Sequence, residues 1–170
     1  DRPTVFFGYS MGAAVSYALA SRLLALNSVV PAALFVAACQ APHLLKKITP
    51  IYTLDDNGFV SAIQRLGGMP DAILNEPELL ELALPVLRAD FEVLGTYQCQ
   101  EQVLLGMPVI AYGGCHDPHT SRSELSAWRT VTTDDFSLRL FSGGHFFINE
   151  TRAQLLRTLA ADLAPFHTGG

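Results

Sequence analysis

Four short apolar runs, separated by stretches of helical periodicity, restrict the fold of this 170-residue chain more than any other feature. Each run is rich in Val, Phe, Leu and Ile, as buried strands are. The predicted strands are Thr4–Gly8, Ala32–Ala37, Pro108–Gly113 and Phe136–Phe141. Because no hairpin signal joins any two of them, we predict an α/β fold with a parallel, doubly wound sheet.

Helical patterns fill the intervals between the predicted strands. Met11–Leu26 carries small apolar side chains at helical spacing, which would let this helix lie close to a sheet. Two further helices are predicted at Ser121–Arg129 and Glu150–Ala164, the second with Asn149 as its N-cap. Strand and helix therefore alternate along most of the chain.

The interval between the second and third predicted strands, about residues 42–105, is too long for a crossover helix. It contains helical patterns at Asn57–Leu66 and Glu76–Tyr97, and Pro85 is expected to kink the second. We predict a mostly helical lid inserted into a single domain that spans residues 1–170, and such lids shape substrate pockets. A helical subdomain without a lid role is the alternative.

Charge and cysteine content argue against several classes of protein. The net charge is −5 and the basic residues are scattered, so nucleic-acid binding is not expected. No apolar run is long enough for a membrane span and no leader pattern opens the sequence, so we expect a cytoplasmic protein. Three cysteines without paired spacing indicate neither a disulfide framework nor a structural zinc site.

A Gly-x-Ser-x-Gly sequence at residues 8–12 directly follows the first predicted strand and opens the first helix. This context is typical of a nucleophile elbow, a strained turn from which a serine hydroxyl projects while flanking glycines allow close backbone approach. We predict Ser10 as the nucleophile and the backbone N–H of Met11 as an oxyanion-hole donor. An ordinary glycine-rich turn with a capping serine is the alternative.

A serine nucleophile needs a general base and an acid that orients the base. Hydrolases with this elbow place them in the order Ser, Asp or Glu, His, each in a loop after a strand. The third predicted strand leads to Asp117 and the fourth leads to His145, so both are expected at the sheet edge that carries Ser10. We predict His145 as the base and Asp117 as the acid; a purely structural histidine is the alternative.

Other polar residues fit these roles less well. Five aspartates either precede the fourth predicted strand or belong to the inserted segment: Asp134, Asp135, Asp55, Asp56 and Asp90. His116 and His119 form a small cluster with Asp117, but a His-x-x-His pair on a loop lacks the helical spacing of the protease zinc motif. We therefore predict no metal site.

Several motifs together resemble the type II thioesterases of nonribosomal peptide and polyketide synthases, over nearly the whole chain. These motifs are Gly8–Ala13, Ala41-Pro42, Leu66–Pro70, Leu87–Phe91, Gly113-Gly114 with Asp117, and Gly143–Phe147. The resemblance implies an α/β-hydrolase fold and hydrolysis of acyl thioesters on the phosphopantetheine arm of acyl or peptidyl carrier proteins. It implies the roles given above for Ser10, Asp117 and His145. It also implies no cofactor bound by the chain itself, and we expect a monomer.

The sequence departs from the family pattern at two places. Tyr9 stands where the family usually has histidine. The family's N-terminal third is not in this sequence, and only three residues precede the first predicted strand, whose apolar edge would need a covering segment. The missing part would include the loop that donates a second oxyanion N–H. Because such a donor contributes on the order of 100-fold to the rate, we expect this polypeptide to be inactive on its own.

Two other functions fit the same residues. Another serine hydrolase of this fold, such as an esterase or lipase, would cleave oxygen esters without depending on a carrier surface. A non-catalytic remnant would dock carriers, but its Ser10 would not react with a fluorophosphonate.

Overall fold

A computed structural model describes residues 3–45, 50–67, 73, 75–99 and 102–166 of the chain. Within these residues, four parallel strands form one sheet in the order β1-β2-β3-β4. The strands are β1 (Val5–Tyr9), β2 (Ala33–Ala37), β3 (Val109–Gly114) and β4 (Phe136–Phe141). The predicted α/β fold with a parallel sheet is confirmed, and every strand boundary lies within one residue of its predicted position.

Helices connect the strands. The α-helices are α1 (Met11–Ala25), α2 (Asp56–Arg65), α3 (Pro77–Thr96), α4 (Arg122–Ser126), α5 (Phe147–Glu150) and α6 (Arg152–Leu163). Short 3₁₀ helices lie at Pro42–Leu44, Ile51–Thr53, Ala127–Val131 and Ala164–Phe166. No helix within the described ranges is both long and apolar enough to cross a membrane.

The alternation of side chains along β2 divides the core into two layers. Leu34 and Val36 pack on one face of the sheet with residues of α1 and with Trp128. Phe35 packs on the other face with Phe147 and residues of α6. Since both faces are covered, β2 and β3 are buried along their whole length. Because all four strands are parallel, their carboxyl ends lie at one edge of the sheet.

The chain after β4 differs from its prediction. Asn149 does not cap the last helix; it lies inside α5, and α6 begins one residue after Thr151. The reason is packing, because Phe147 is fully buried and its ring stacks on that of Phe141 with centroids 5.3 Å apart. This contact draws the preceding turn into the core and creates a separate short helix that the apolar pattern alone did not indicate.

The chain divides into two compact units, one formed by Asp1–Leu45 with Cys99–Gly170 and the other by Lys46–Gln98. The second unit has its own small core, centred on Phe59 and Ile63. It lies within the predicted insertion at residues 42–105, and a lid role for it stays a prediction.

Helix α3 is held to the rest of the second unit by Arg88. Its guanidinium donates hydrogen bonds to the carbonyl oxygens of Tyr52 (2.5 Å) and Leu54 (2.7 Å) and to Asp56 Oδ1 (2.7 Å). The same group lies over the ring of Phe59, 4.4 Å from its centroid. Helix α3 runs through Pro85 as one helix. Gly68, Met69 and Pro70 of the family-like motif lie outside the described residues.

Candidate active site

Ser10 occupies a strained turn between β1 and α1. Its backbone has φ 52° and ψ −119°, a conformation that costs a residue with a side chain of order 1–3 kcal/mol. The turn is fixed by a hydrogen bond from the Ser10 N–H to the carbonyl of Ala37 at the end of β2, with N···O 2.8 Å. The neighbouring sheet strand thus holds the serine in a geometry that an unconstrained turn would avoid.

The two glycines that flank Ser10 have different roles. A methyl group at Gly8 would overlap the backbone carbonyl of Gly12, so β1 and α1 approach each other too closely for any side chain at this position. A methyl group at Gly12 would meet no atom within 4 Å. The expectation that both glycines are needed for close approach therefore holds for Gly8 and is wrong for Gly12.

Three predicted side chains meet at the carboxyl edge of the sheet. His145 Nε2 lies 3.1 Å from Ser10 Oγ, and His145 Nδ1 lies 2.9 Å from Asp117 Oδ2. The Asp117 side chain is 1% exposed and the His145 side chain 16% exposed. This arrangement places an imidazole between a hydroxyl and a carboxylate, as acyl transfer to a serine requires.

Asp117 is hydrogen-bonded through both carboxylate oxygens. Oδ2 faces His145, and Oδ1 accepts the backbone N–H groups of His119 (2.8 Å) and Thr120 (3.3 Å). Burial raises the pKa of Asp117, but the hydrogen bonds from His145 and from the His119 N–H, together with electrostatic attraction to these two histidines, outweigh burial and hold the pKa below its ordinary value. The carboxylate is therefore ionised and fixed towards the imidazole.

The lowered pKa of Asp117 predicts an acid-dependent loss of stability. The folded protein keeps this carboxyl ionised to a lower pH than the unfolded chain, in which the carboxyl has a pKa near 3.8. The ionised carboxylate therefore stabilises the folded state fully above about pH 3.8. The contribution is lost as pH falls through the lower folded pKa. We expect the free energy of unfolding of the unaltered protein to fall between about pH 5 and pH 3 more steeply than that of Asp117→Asn. Urea denaturation across this range measures both slopes, and equal slopes would contradict the prediction.

The loop that carries His145 packs tightly against the end of β3. A methyl group at Gly114 would overlap the carbonyl oxygens of Gly143 and Gly144, and Gly143 itself has φ 110°. The Gly144 N–H donates to Glu150 Oε1 at 3.3 Å. These contacts place the His145 backbone next to the Asp117 loop. The close approach requires glycine at Gly114, whereas Gly143 is required by its positive φ and by the Glu150 carboxylate beside it.

Met11 is the first residue of α1. The first N–H groups of a helix have no acceptor within the helix, and they carry the positive end of its dipole. The backbone N–H of Met11 is thus suited to an oxyanion beside Ser10, and this role stays a prediction.

The rejected candidates have other positions. Asp55 caps α2 by accepting the Gly58 N–H, and Asp56 pairs with Arg88. The Asp135 carbonyl accepts the N–H of Val109, the first residue of β3, and so lies at the opposite end of the sheet. Among the residues that the structure describes, no group of three or more His, Cys, Asp or Glu side chains could hold a metal ion.

Two residues that the sequence did not single out for this site contact the His145 loop. The hydroxyl of Tyr9 donates a hydrogen bond to the backbone carbonyl of His145, and Glu150 accepts the Gly144 N–H as described. The only sequence signal for Tyr9 was its departure from the histidine that the resembling family usually carries. Nothing in the sequence distinguishes Glu150 from any other polar residue of a surface helix.

A parallel sheet that holds a serine on a strained strand-to-helix turn, with a histidine and an aspartate within reach at the same edge, defines the α/β-hydrolase fold. Residues 1–163 match the thioesterase domain family. The chain belongs to this thioesterase family.

The chain is similar to several individual proteins over most of its length. The thioesterase PikA5 of Streptomyces venezuelae is 39% identical over 85% of the chain and 51% of its own length. LgrE of Brevibacillus parabrevis, named a linear gramicidin dehydrogenase, is 36% identical over 99% of the chain and 65% of its own length. The structure of RedJ, a thioesterase from the prodiginine pathway of Streptomyces coelicolor, matches with a TM-score of 0.85 and 35% identity, covering 94% of this chain and 63% of RedJ.

Type II thioesterases, one of them from a combined nonribosomal peptide and polyketide pathway, are also among the solved structural neighbours. The resemblance to this group is therefore confirmed. The chain spans 45–65% of the length of several curated relatives.

Proposed function

We propose that the protein hydrolyses acyl thioesters carried on the phosphopantetheine arm of acyl or peptidyl carrier proteins, with Ser10 as the nucleophile. The observation that carries this proposal is the hydrogen-bonded series in which His145 lies 3.1 Å from Ser10 Oγ and 2.9 Å from Asp117 Oδ2. Membership of the thioesterase family and the names of its biosynthetic relatives support the substrate class.

The first half of the reaction forms an acyl-enzyme. His145 Nε2 takes the proton of the Ser10 hydroxyl as Oγ attacks the thioester carbonyl carbon. The negative charge that develops on the carbonyl oxygen is stabilised by the Met11 N–H. When the carbon–sulfur bond breaks, the imidazolium returns its proton to the pantetheine sulfur. Asp117 keeps the proton of the imidazole on Nδ1 and stabilises the transient positive charge.

The second half of the reaction restores the serine. Water attacks the Ser10 ester while His145 accepts its proton, and the acid product leaves as the proton returns to Oγ. Every group that forms or breaks a bond belongs to this chain, to water or to the carrier-bound substrate. The reaction thus requires no cofactor bound by the chain, because the pantetheine belongs to the carrier.

The dehydrogenase name of LgrE does not favour a redox activity for this chain. Nicotinamide-dependent enzymes commonly bind their cofactor at a Gly-x-Gly-x-x-Gly turn between a strand and a helix, where close approach of the pyrophosphate requires glycine. The β1–α1 turn places Ser10 where that motif has its second glycine, the one that allows the backbone to approach the pyrophosphate. The strained backbone of Ser10 exposes a hydroxyl instead, as hydrolysis needs.

The proposal is tested by presenting one acyl group to the complete protein in three forms: on a carrier protein, on free pantetheine, and as an oxygen ester. We expect a fluorophosphonate probe to label Ser10 and kcat/KM to be highest for the acyl carrier. Similar kcat/KM values for carrier and free oxygen ester would favour a general esterase. Binding of the carrier without labelling or turnover would favour a non-catalytic docking protein.

A further inference from the structure

Tyr9 connects the serine turn to the histidine loop. It is the last residue of β1 and immediately precedes Ser10, and its hydroxyl donates a hydrogen bond to the backbone carbonyl of His145, 136 residues further along the chain. Its ring meets the imidazole of His145 edge-on, with centroids 5.9 Å apart and planes at 63°. The ring also packs against Phe147, with centroids 6.0 Å apart.

These contacts act on a part of His145 that Ser10 and Asp117 do not hold. The serine and the aspartate contact the two ring nitrogens, whereas Tyr9 contacts the backbone carbonyl and packs its ring against the imidazole. We propose that Tyr9 is a positioning residue for His145. Through Tyr9, strand β1, which leads directly to Ser10, also fixes the position of the His145 loop. The kinetic part of this inference rests on the proposed function.

The hydroxyl, rather than the ring alone, makes the assignment specific. A phenylalanine would keep the ring contacts with His145 and Phe147, but the His145 carbonyl would lose its donor. Burial, followed by the negative charges of Asp117 and Glu150, raises the pKa of the Tyr9 hydroxyl above its ordinary value. The group therefore stays protonated, and able to donate, throughout the neutral pH range.

A backbone hydrogen bond from the His116 N–H to the Gly143 carbonyl (N···O 2.9 Å) also holds the His145 loop, and no side-chain substitution removes it. The side-chain hydrogen bond made by Glu150 is weaker than that made by Tyr9. Glu150 is exposed, and its carboxylate accepts the Gly144 N–H at 3.3 Å, near the outer limit of a hydrogen bond. Because water competes for an exposed carboxylate, this contact constrains the loop less than the partly buried hydroxyl of Tyr9 does. Of these two side chains, Tyr9 is accordingly the one whose loss would more increase the freedom of the His145 backbone.

The variant Tyr9→Phe in the complete protein tests the proposal, with Tyr112→Phe as a matched control. Tyr112 lies in the same buried core cluster as Phe147, but its hydroxyl donates a hydrogen bond to Asp162 Oδ2 at 2.8 Å. We expect Tyr9→Phe to lower kcat for acyl release about fivefold to tenfold with KM changed less than about twofold. We expect Tyr112→Phe to leave kcat within about twofold, because its hydroxyl does not contact the histidine loop.

Nitrogen NMR of the His145 imidazole gives a readout that does not require turnover. In the unaltered protein we expect one tautomer, protonated on Nδ1, and in Tyr9→Phe shifted or exchange-broadened signals of that tautomer, because the ring is held less firmly; Tyr112→Phe should show neither change. Unchanged kcat and unchanged imidazole signals in Tyr9→Phe would overturn the inference. An unaltered protein without turnover, whose His145 signals still respond to Tyr9→Phe alone, would refute the proposed function and leave the positioning role standing.

Discussion

Replacement of Ser10 by alanine in the complete protein is expected to lower the rate of acyl release from a carrier by on the order of 10⁵-fold or more. The alanine removes the only atom that forms the acyl-enzyme in the proposed mechanism. It leaves the imidazole of His145 and the carboxylate of Asp117 without a nucleophile to activate. The residual rate would come from direct attack by water on a bound thioester. Quenched-flow measurement of free acid released from an acyl carrier follows the change over this range.

Two further variants separate a catalytic loss from a general one. The double variant Ser10→Ala/His145→Ala should be no slower than either single variant, because residues that act as one unit are strongly non-additive. Ser142→Ala serves as the matched control, since this exposed serine lies three residues before His145 in the same loop. It should keep the rate within about twofold, as surface substitutions usually do. Release by Ser10→Ala at the unaltered rate would refute the proposal.

The parts of this fold that are predictable from the sequence are those fixed by local pattern and chain order. The apolar runs locate β2 and β3 because a strand that is buried on both faces is apolar along its whole length. Strands β1 and β4 are only partly buried, and their Val, Phe and Leu residues locate them. Parallel pairing then follows from the helical stretches between the strands. Once the sheet is parallel, residues directly after β1, β3 and β4 must share an edge, so the sequence predicts that Ser10, Asp117 and His145 lie on the same side of the sheet. The hydrogen-bond distances between them depend on the loops that carry Asp117 and His145.

Contacts between distant residues were not predictable in this way. The hydrogen bond from Tyr9 to the backbone of His145 depends on the height of one loop above the sheet, which no periodicity encodes. The helix expected from Glu150 begins at Arg152 instead, because the burial of Phe147 outweighs the capping preference of Asn149. In both places tertiary packing decides between locally similar alternatives.

The close approach of β1 and α1 is expected to make Gly8→Ala severely destabilising. The added methyl group would overlap the backbone carbonyl of Gly12, and a backbone atom cannot turn aside as the end of a flexible side chain can. Helix α1 would have to move away from the sheet face on which Ala13 and Tyr17 are buried. We expect a loss of about 3 kcal/mol in the free energy of unfolding, at the upper end of overpacking costs. Urea denaturation monitored by Trp128 fluorescence provides the measurement.

Gly12→Ala is the matched control, because it adds the same methyl group to the same motif, four residues away. No atom lies within 4 Å of the new carbon, and Gly12 is the second residue of α1. Alanine favours a helix over glycine by roughly 0.5–1 kcal/mol in its interior and by less in its first turn, so the free energy of unfolding should rise by up to about 0.5 kcal/mol. The two substitutions are thus expected to change stability in opposite directions. Equal destabilisation by both substitutions would contradict the prediction, because it would show that the whole turn, and not Gly8 alone, excludes an added methyl group.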